Sequence, residues 1–144
     1  MAFATFDVNK VAVIVGGVPL EGFADGSRVT VEFDEQQYTK VTGSDGLTTR
    51  SKSNNYSGNI TVTLQQSSRS NDYLSGLWNV DRVRDAGVVP ILIKDDSGRT
   101  LWTAGNAWVQ QMPSQDFTKE VSERAWILDV DELKGFAGGN QPLA

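Results

Sequence analysis

The chain has 144 residues, a length that suits one domain built around a single core. It contains neither cysteine nor histidine, which excludes disulfides, thiolate metal sites and every catalytic arrangement that needs an imidazole. Its 13 Lys and Arg against 18 Asp and Glu give a formal charge of -5, the wrong sign for gripping nucleic acid through phosphate contacts. We therefore expect a protein that is not an enzyme and needs no cofactor or bound metal.

Membrane insertion is not expected either. No run of the sequence approaches the roughly 18 apolar residues of a membrane helix. Residues 1–9 lack the basic start and the apolar stretch of a signal peptide. The sequence thus predicts a protein that is cytoplasmic when it is made.

The first predicted elements are strands. Val11–Val15 is a short apolar run ended by Gly16-Gly17, which favours a hairpin into Val18-Pro19-Leu20. Residues 28–34 then alternate between apolar and polar side chains, which is typical of a strand buried on one face. The polar members of this strand are Arg28, Thr30, Glu32 and Asp34.

A long polar connection runs from Glu35 to Tyr56, with Gly43-Ser44-Asp45-Gly46 at its middle. Ordinary connections take about 4 to 6 residues, so a connection of this length is either disordered or has a function of its own. Its composition favours a flexible loop. The alternative is a long hairpin tipped by Asp45-Gly46 that becomes ordered against a neighbour.

Residues 57–66 give the clearest strand and lead into the only convincing helix, at about 70–84. In the strand, Asn59, Thr61, Thr63 and Gln65 form the polar face. In the helix, the apolar residues recur at i, i+1, i+4 and i+5, so they share one side and are expected to pack on the core. They are Tyr73, Leu74, Leu77 and Trp78. Ser70 or Asn71 is the expected N-cap.

Further strands are predicted after the helix, at 88–94, 100–104, 107–110 and 121–130, with a turn at Asp95-Asp96-Ser97-Gly98. The glycine-rich end, from about residue 135, is expected to be a flexible tail. This succession predicts an α+β, mostly β, single domain over 1–144: two packed antiparallel sheets, a sandwich or partial barrel, flanked by one helix.

Candidate sites for chemistry are few. Asp95 with Asp129 could serve a small hydrolase only if the two carboxylates lay about 5 to 9.5 Å apart in a cleft. Trp102 and Trp108 could form the aromatic strip of a monomeric sugar-binding β-sandwich. Neither acidic group has the spacing of a calcium loop, and we assign no catalytic or metal-binding residue.

The polar faces of 28–34 and 57–66 have no evident partner within the chain. An open sheet leaves edges that must be covered, and a ring of copies covers them by joining each sheet to the next. The sequence therefore predicts a ring whose bore is polar.

The order of several segments resembles the tail tube proteins of contractile-tailed bacteriophages, from about Val11 to Trp126. The segments are Gly22-Phe23-Ala24-Asp25-Gly26, the Gly43–Gly46 loop followed by Thr49–Ser53, the strand from Ser57 to Leu64, Ser70-Asn71-Asp72 at the helix start, and Asp96-Ser97-Gly98. The resemblance implies six copies per ring, rings stacked into a tube inside a sheath, and an inner sheet that joins its neighbours into a barrel through which DNA leaves the capsid.

The resemblance also implies partners and locations. These are other copies of the chain, the tail sheath, baseplate and tail-terminator proteins, and a tape measure protein and genomic DNA in the lumen, in a virion tail assembled in the host cytoplasm. The long connection, at about 39–56, matches the loop that reaches the adjacent ring in such proteins. Its expected contact residues are Lys40, Asp45, Leu47, Thr48, Arg50, Lys52 and Tyr56.

The residues and the resemblance lead to the same expectation for the bore. DNA carries one negative charge per roughly 1.7 Å of duplex, so a basic lining would hold it, and an acidic or neutral one lets it slide. We therefore expect Arg28, Thr30, Glu32, Asp34, Asn59, Thr61, Thr63 and Gln65 to face the lumen. The close alternative is the tube protein of a phage-like particle or secretion system, which differs in its cargo.

Overall fold

The computed structural model describes residues 3–26 and 28–141, and within them it has one α-helix and ten strands in two antiparallel sheets. The predicted class, mostly β with one flanking helix, is confirmed. The elements are β1 Val11–Val15, β2 Val18–Pro19, β3 Val29–Phe33, β4 Tyr38–Thr42, β5 Thr48–Lys52, β6 Gly58–Gln65, α1 Ser70–Arg84, β7 Val89–Asp95, β8 Leu101–Gln111, β9 Glu123–Val130 and β10 Lys134–Phe136.

The larger sheet has eight strands, in the order β2-β1-β7-β8-β9-β6-β3, with β10 paired to β8 beside this path. All of its pairings are antiparallel. The smaller sheet is the hairpin of β4 and β5. The long polar connection is thus an ordered hairpin with Asp45-Gly46 at its tip, where Gly46 takes a φ of 90°. Glycine adopts this angle without the cost that a side chain would add.

Strand β8 belongs to both halves of the larger sheet. Its first part, from Leu101 to Ala104, pairs with β7 on one side and β10 on the other, whereas Ala107 to Gln111 pairs with β9. The register shifts between Val89 and Ile91 and again between Val109 and Gln111. Such irregularities bend a strand, and bent strands form the corners of sandwiches. The sequence predicted two short strands here because Gly105-Asn106 resembles a turn; in the structure these two residues lie inside one strand.

The bend defines two half-sheets. The first half-sheet contains β2, β1, β7, the beginning of β8 and β10; the second contains the end of β8, β9, β6 and β3. Phe33 of β3 meets Trp102 of β8 edge to face, with ring centroids 5.7 Å apart. Val11 of β1 and Val29 of β3, from the second and the last strand in the sheet order, line one cavity of about 180 Å³. The sheet therefore curls into a partial barrel.

The core lies between the half-sheets and under the helix. Its largest fully buried side chains come from both half-sheets and from α1: Trp126, Ile60, Leu64, Leu74, Leu128, Val13, Val15, Val62 and Val130. Tyr73, Leu77 and Trp78 are partly buried and pack against this cluster. The Tyr73 hydroxyl donates to the carbonyl of Val15 at 2.9 Å, and burial raises the pKa of Tyr73 above its ordinary value. The four apolar residues of the predicted helical stripe thus lie on the core side of α1.

The start of the helix differs from the sequence-based expectation. Arg69 occupies the N-cap position and makes no side-chain capping bond. Asn71, which is 3% exposed, instead donates to the carbonyl of Gln65 at 2.8 Å and accepts a hydrogen bond from the indole N–H of Trp126 at 2.9 Å. A buried polar group needs such partners. Asn71 therefore joins the helix to β6 and β9 inside the core.

Replacing Asn71 with Ala should lower the free energy of unfolding by about 1–3 kcal/mol, because the buried Trp126 N–H would lose its acceptor. Urea denaturation measures the change. Asn79→Ala is the matched control, since Asn79 lies on the same helix, is exposed and donates only to the carbonyl of Ser75. Equal effects of the two substitutions would contradict this role of Asn71.

The end of the described chain is held against the first half-sheet, whereas the sequence led us to expect a flexible tail from about residue 135. Strand β10 pairs with the beginning of β8. Beyond it, the backbone N–H of Arg99 donates to the carbonyl of Gly139 at 3.1 Å. Asn140 donates to the carboxylate of Asp95 at 3.1 Å and to the carbonyl of Ser97 at 3.0 Å. Composition did not predict these bonds because their partners lie about 40 residues away in the sequence.

Asp95 is the centre of this attachment. It is 8% exposed and accepts hydrogen bonds from the hydroxyl and the backbone N–H of Ser97, at 2.5 and 2.9 Å. The bond from the Ser97 hydroxyl is the largest influence lowering the pKa of Asp95; burial opposes it, and bonds from Asn140 and the Ser97 backbone add to it. These local bonds confirm the predicted turn at residues 95–98.

A lowered folded-state pKa means that Asp95 stabilises the protein above its unfolded pKa of about 3.9 and that this contribution is lost as the pH falls through the folded value. Asp95→Asn should therefore destabilise the protein by about 1–3 kcal/mol at pH 7 and by much less near pH 2. Thermal unfolding at both pH values measures this. Asp96→Asn is the control, because Asp96 is exposed and only pairs with Lys94 at the surface. A loss for Asp95→Asn that is the same at both pH values would count against the carboxylate.

Candidate assembly surfaces

The face of the second half-sheet that points away from the core is an open surface, which we call the wall face. On β6, Ile60, Val62 and Leu64 are buried while the residues between them are half-buried, and β9 alternates in the same way. The wall face comprises Thr30, Glu32, Asn59, Thr61, Thr63, Gln65, Trp108, Gln110, Gln111, Glu123, Ala125, Ile127 and Asp129. Its charged members are Glu32, Glu123 and Asp129, so the set contains carboxylates and no cation.

The structure brings most of the predicted lumen residues together on this face. Thr30 lies directly opposite Thr61, and Glu32 lies opposite Asn59, in the pairing of β3 with β6. Thr63 and Gln65 continue along β6 beside β9. Glu32 is exposed, and Thr61 and Thr63 are half-buried within this one copy.

The two predicted lumen residues that flank β3 lie elsewhere. Asp34 is exposed and accepts a hydrogen bond from the Ser57 hydroxyl at 2.7 Å, at the root of the hairpin. Arg28 extends over the ring of Phe23, 5.9 Å from its centroid, and donates to the side chain of Asn9 at 3.2 Å. The one cation of the predicted lumen set is therefore engaged by Phe23 and Asn9.

Sequence reasoning missed the part of the wall face that β8 and β9 supply. These residues are Trp108, Gln110, Gln111, Glu123, Ala125, Ile127 and Asp129. Gln110 donates to the Asp129 carboxylate at 3.1 Å across the β8–β9 pair. The alternation of Ile127 and Asp129 with the buried Leu128 and Val130 was a usable signal. For Trp108 there was none, because an apolar side chain between Ala107 and Val109 gives no alternation of apolar and polar residues.

The hairpin of β4 and β5 is the second exposed surface, and every residue from Tyr38 to Lys52 is exposed. Lys40 lies directly opposite Arg50, and Lys52 lies opposite Tyr38, so three cations and one aromatic ring share a face. The Arg50 guanidinium lies over the Tyr38 ring, 4.4 Å from its centroid. The ring thus engages Arg50, whose partner across the two strands, Lys40, carries a like charge.

The opposite face of the hairpin has no charge and carries Thr39, Val41, Thr49 and Ser51, with Leu47 beside the tip. Val41 and Leu47 are 69% and 68% exposed. Among the other predicted contact residues, Thr48 shares a hydrogen bond with Thr42, and Asp45 accepts from the Leu47 N–H within the tip. Tyr56 is half-buried at the root, where its carbonyl accepts from Leu133. A two-stranded hairpin is only marginally stable alone, so contact with another protein surface would stabilise this one.

The positions of these side chains do not favour a hydrolase site at Asp95 and Asp129 or a sugar-binding strip at Trp102 and Trp108. Asp95 points to the core side of its strand, with Ile91 and Ile93, whereas Asp129 lies on the wall face, so the two carboxylates do not share a cleft. Trp102 packs against the core while Trp108 lies on the opposite face of β8, so they form no common strip. Within residues 3–26 and 28–141 no three acidic side chains are grouped to hold a metal, and no helix there is long and apolar enough to cross a membrane.

Comparison with solved structures finds the same fold in contractile injection systems. The cap that terminates the tube of the anti-feeding prophage matches with a TM-score of 0.67 at 15% identity, covering 94% of this chain and 93% of the other. The sheath/tube terminator of an extracellular contractile injection system, PVC, matches with a TM-score of 0.66 at 19% identity over 95% and 100%. A chain of the PVC sheath–tube complex matches with a TM-score of 0.62 at 18% identity over 92% of each chain.

Sequence comparison identifies the family. A structural protein of Pseudomonas phage KPP10, "Structural protein ORF10", is 32% identical over 149 aligned positions that cover 98% of this chain and 86% of the relative. The family model described as "Bacteriophage PhiTE tail tube protein" matches residues 1–138. The resemblance seen in the sequence is thereby confirmed: the chain belongs to the PhiTE tail tube protein family and is a structural component of a bacteriophage tail.

Proposed function

We propose that six copies of this chain form a ring in which their second half-sheets join into one continuous barrel, and that stacked rings form the tube through which DNA passes from the capsid to the host. The observation that carries the proposal is the wall face: a polar surface without cations, set between two open strand edges. Family membership supports the assignment to a tube, and the geometry of the wall face supports an orientation in which this face lines the bore.

The edges suit ring closure. In the described chain β3 ends the sheet order, and residues 108–111 of β8 pair with β9 alone. Both edges leave backbone donors and acceptors without a strand partner, which natural proteins avoid. The second half-sheet has four antiparallel strands, so its two edge strands run in opposite directions. Rotation about a ring axis then brings β3 of one copy antiparallel to β8 of the next, and the alternation continues around the barrel.

The charge of the wall face suits passage of DNA. With Glu32, Glu123 and Asp129 as its charged members, the lining repels the phosphate backbone and offers no counterion-releasing contact. The engagement of Arg28 with Phe23 and Asn9 keeps that cation occupied at the rim. DNA in such a bore moves without having to break salt links at each step.

The hairpin suits contact between rings. It connects the end of β3 to the beginning of β6, so it leaves the second half-sheet at the ends of its strands and not at a lateral edge. Its uncharged face, with Val41 and Leu47, offers apolar area to a neighbour, while Lys40, Arg50 and Lys52 suit an acidic surface. We assign this contact to the adjacent ring.

The proposed surroundings follow from these assignments. The outside of the tube would meet the tail sheath, and its ends would meet terminator and baseplate proteins. The lumen would hold the tape measure protein before it holds DNA. Assembly would take place in the host cytoplasm, and the finished tube would reside in the virion tail.

Electron microscopy of the purified protein at high concentration tests the assembly directly. We expect stacked rings with a central channel and sixfold symmetry. A protein that remains monomeric by light scattering at millimolar concentration would overturn the proposal.

Positive charge on the wall face should slow DNA. In virions carrying Thr61→Lys and Thr63→Lys, tubes should assemble while DNA ejection becomes at least several-fold slower at low salt, with the difference shrinking as salt rises. Time-resolved fluorescence of released DNA measures the rate. Thr61→Gln with Thr63→Gln is the control for side-chain size and should eject normally. Ejection at the wild-type rate from the lysine tubes would remove these residues from the lumen.

Removing the hairpin should separate ring formation from stacking. A variant lacking residues 43–52 should stay folded, because none of those side chains is buried, and should form single rings without long tubes. Circular dichroism checks the fold, and negative-stain electron microscopy measures the length of the tubes. Thr42→Ser with Thr48→Ser keeps the hairpin and should give normal tubes. Long tubes from the deletion variant would refute the inter-ring role.

A further inference from the structure

Trp108 is the large aromatic side chain of the wall face, and neither the fold nor the proposed bore accounts for it. Its neighbours Ala107 and Val109 are 0% and 6% exposed on the core side of β8, so the indole points away from the core. It lies opposite Asp129 in the pairing with β9 and is half-buried. A half-buried tryptophan on a face made mostly of polar residues calls for a contact.

The position of Trp108 in the sheet indicates where that contact lies. On the β9 side its neighbours are Asp129 and the Gln110 amide bound to it. On the other side, pairing with β7 reaches only as far as Ala107, where the register shifts around Pro90, a residue without a backbone N–H. Within the described chain no strand flanks residue 108 on that side. The indole thus stands at the open edge of β8.

In the proposed ring, the strand that fills this edge is β3 of the next copy. Thr30 and Glu32 are the outward-facing residues of β3, and both are exposed. Side chains on facing positions of antiparallel strands have Cβ atoms about 4.5–5.5 Å apart, and diagonal neighbours are also within reach of an aromatic ring. The methyl group of Thr30 and the methylene groups of Glu32 can cover the indole, while the Glu32 carboxylate can accept from its N–H.

We propose that Trp108 anchors the seam between copies by packing against Thr30 and Glu32 of the next copy, an inference that rests on the proposed ring. The partner is a second copy of this chain because continuity of the sheet brings β3 to this edge. Tryptophan is enriched among the residues that dominate interface energies, usually at well-packed central positions. Here one such residue per copy would fix both the lateral contact and the register of the seam.

Cross-linking tests whether β3 of one copy lies beside β8 of the next. The chain has no cysteine of its own, so only the introduced cysteines can react. In the variant Thr30→Cys with Gln110→Cys, which keeps Trp108, a short bis-maleimide should join neighbouring copies into a ladder that ends at the ring. The control is Thr30→Cys with Thr61→Cys, residues that face each other within one copy and should give cross-linked monomers only. If the first variant assembles into rings but yields no ladder, the seam proposal is overturned while the ring stands.

Substitution tests the energetic role. Trp108→Ala should raise the protein concentration needed for ring formation at least tenfold, whereas Trp108→Phe should raise it much less. Native mass spectrometry measures ring formation, and circular dichroism verifies folding. Leu101→Ala is the matched control, since Leu101 is a 41% exposed residue of the same strand outside the seam. Rings of normal stability from folded Trp108→Ala protein would overturn the anchor, whereas absence of rings from the unaltered protein would overturn the proposed function itself.

Discussion

The unpaired strand edge is the constraint on which the rest of this structure depends. Each backbone N–H and C=O at an edge must find a partner or remain in water, and an edge in water invites association. Here the open edges belong to β3 and to the end of β8, at opposite sides of one four-stranded half-sheet. In the proposed tube this arrangement would be used directly, because each neighbouring copy would supply the strand pairing that one copy lacks.

The same constraint explains how the polar side chains are distributed. The second half-sheet packs one face on the core and leaves the other exposed to solvent or to a neighbour. The threonines of β3 and β6 make that outer face polar without giving it positive charge. Asn71, by contrast, is polar inside the core, where the Trp126 indole and the carbonyl of Gln65 satisfy it. Polarity thus has two separate roles here: it keeps an open surface wet, and it joins elements within the core.

Much of this architecture could be predicted from residue patterns, for reasons that particular elements make plain. The alternation in β3 and β6 identified the core and polar faces because each strand keeps a strict period of two. The outward face of β8 could not be read in that way, since Trp108 is as apolar as the buried Ala107 and Val109 on either side of it. The cap prediction at Asn71 considered only local bonds, whereas the residue is bound by Trp126, 55 positions away. The hairpin and β10 are likewise set by pairings that composition does not encode.

The continuity of β8 has a mechanical consequence. This strand is hydrogen-bonded to β7 in its first half and to β9 in its second. Any outward displacement of the second half-sheet must therefore bend β8 or break its hydrogen bonds, and β8 also contributes residues to the core. Close-packed interiors resist such deformation. The diameter of a pipe built from these units would therefore be set by the stability of the subunit itself, so that pressure from inside would meet resistance from every folded core in the circumference.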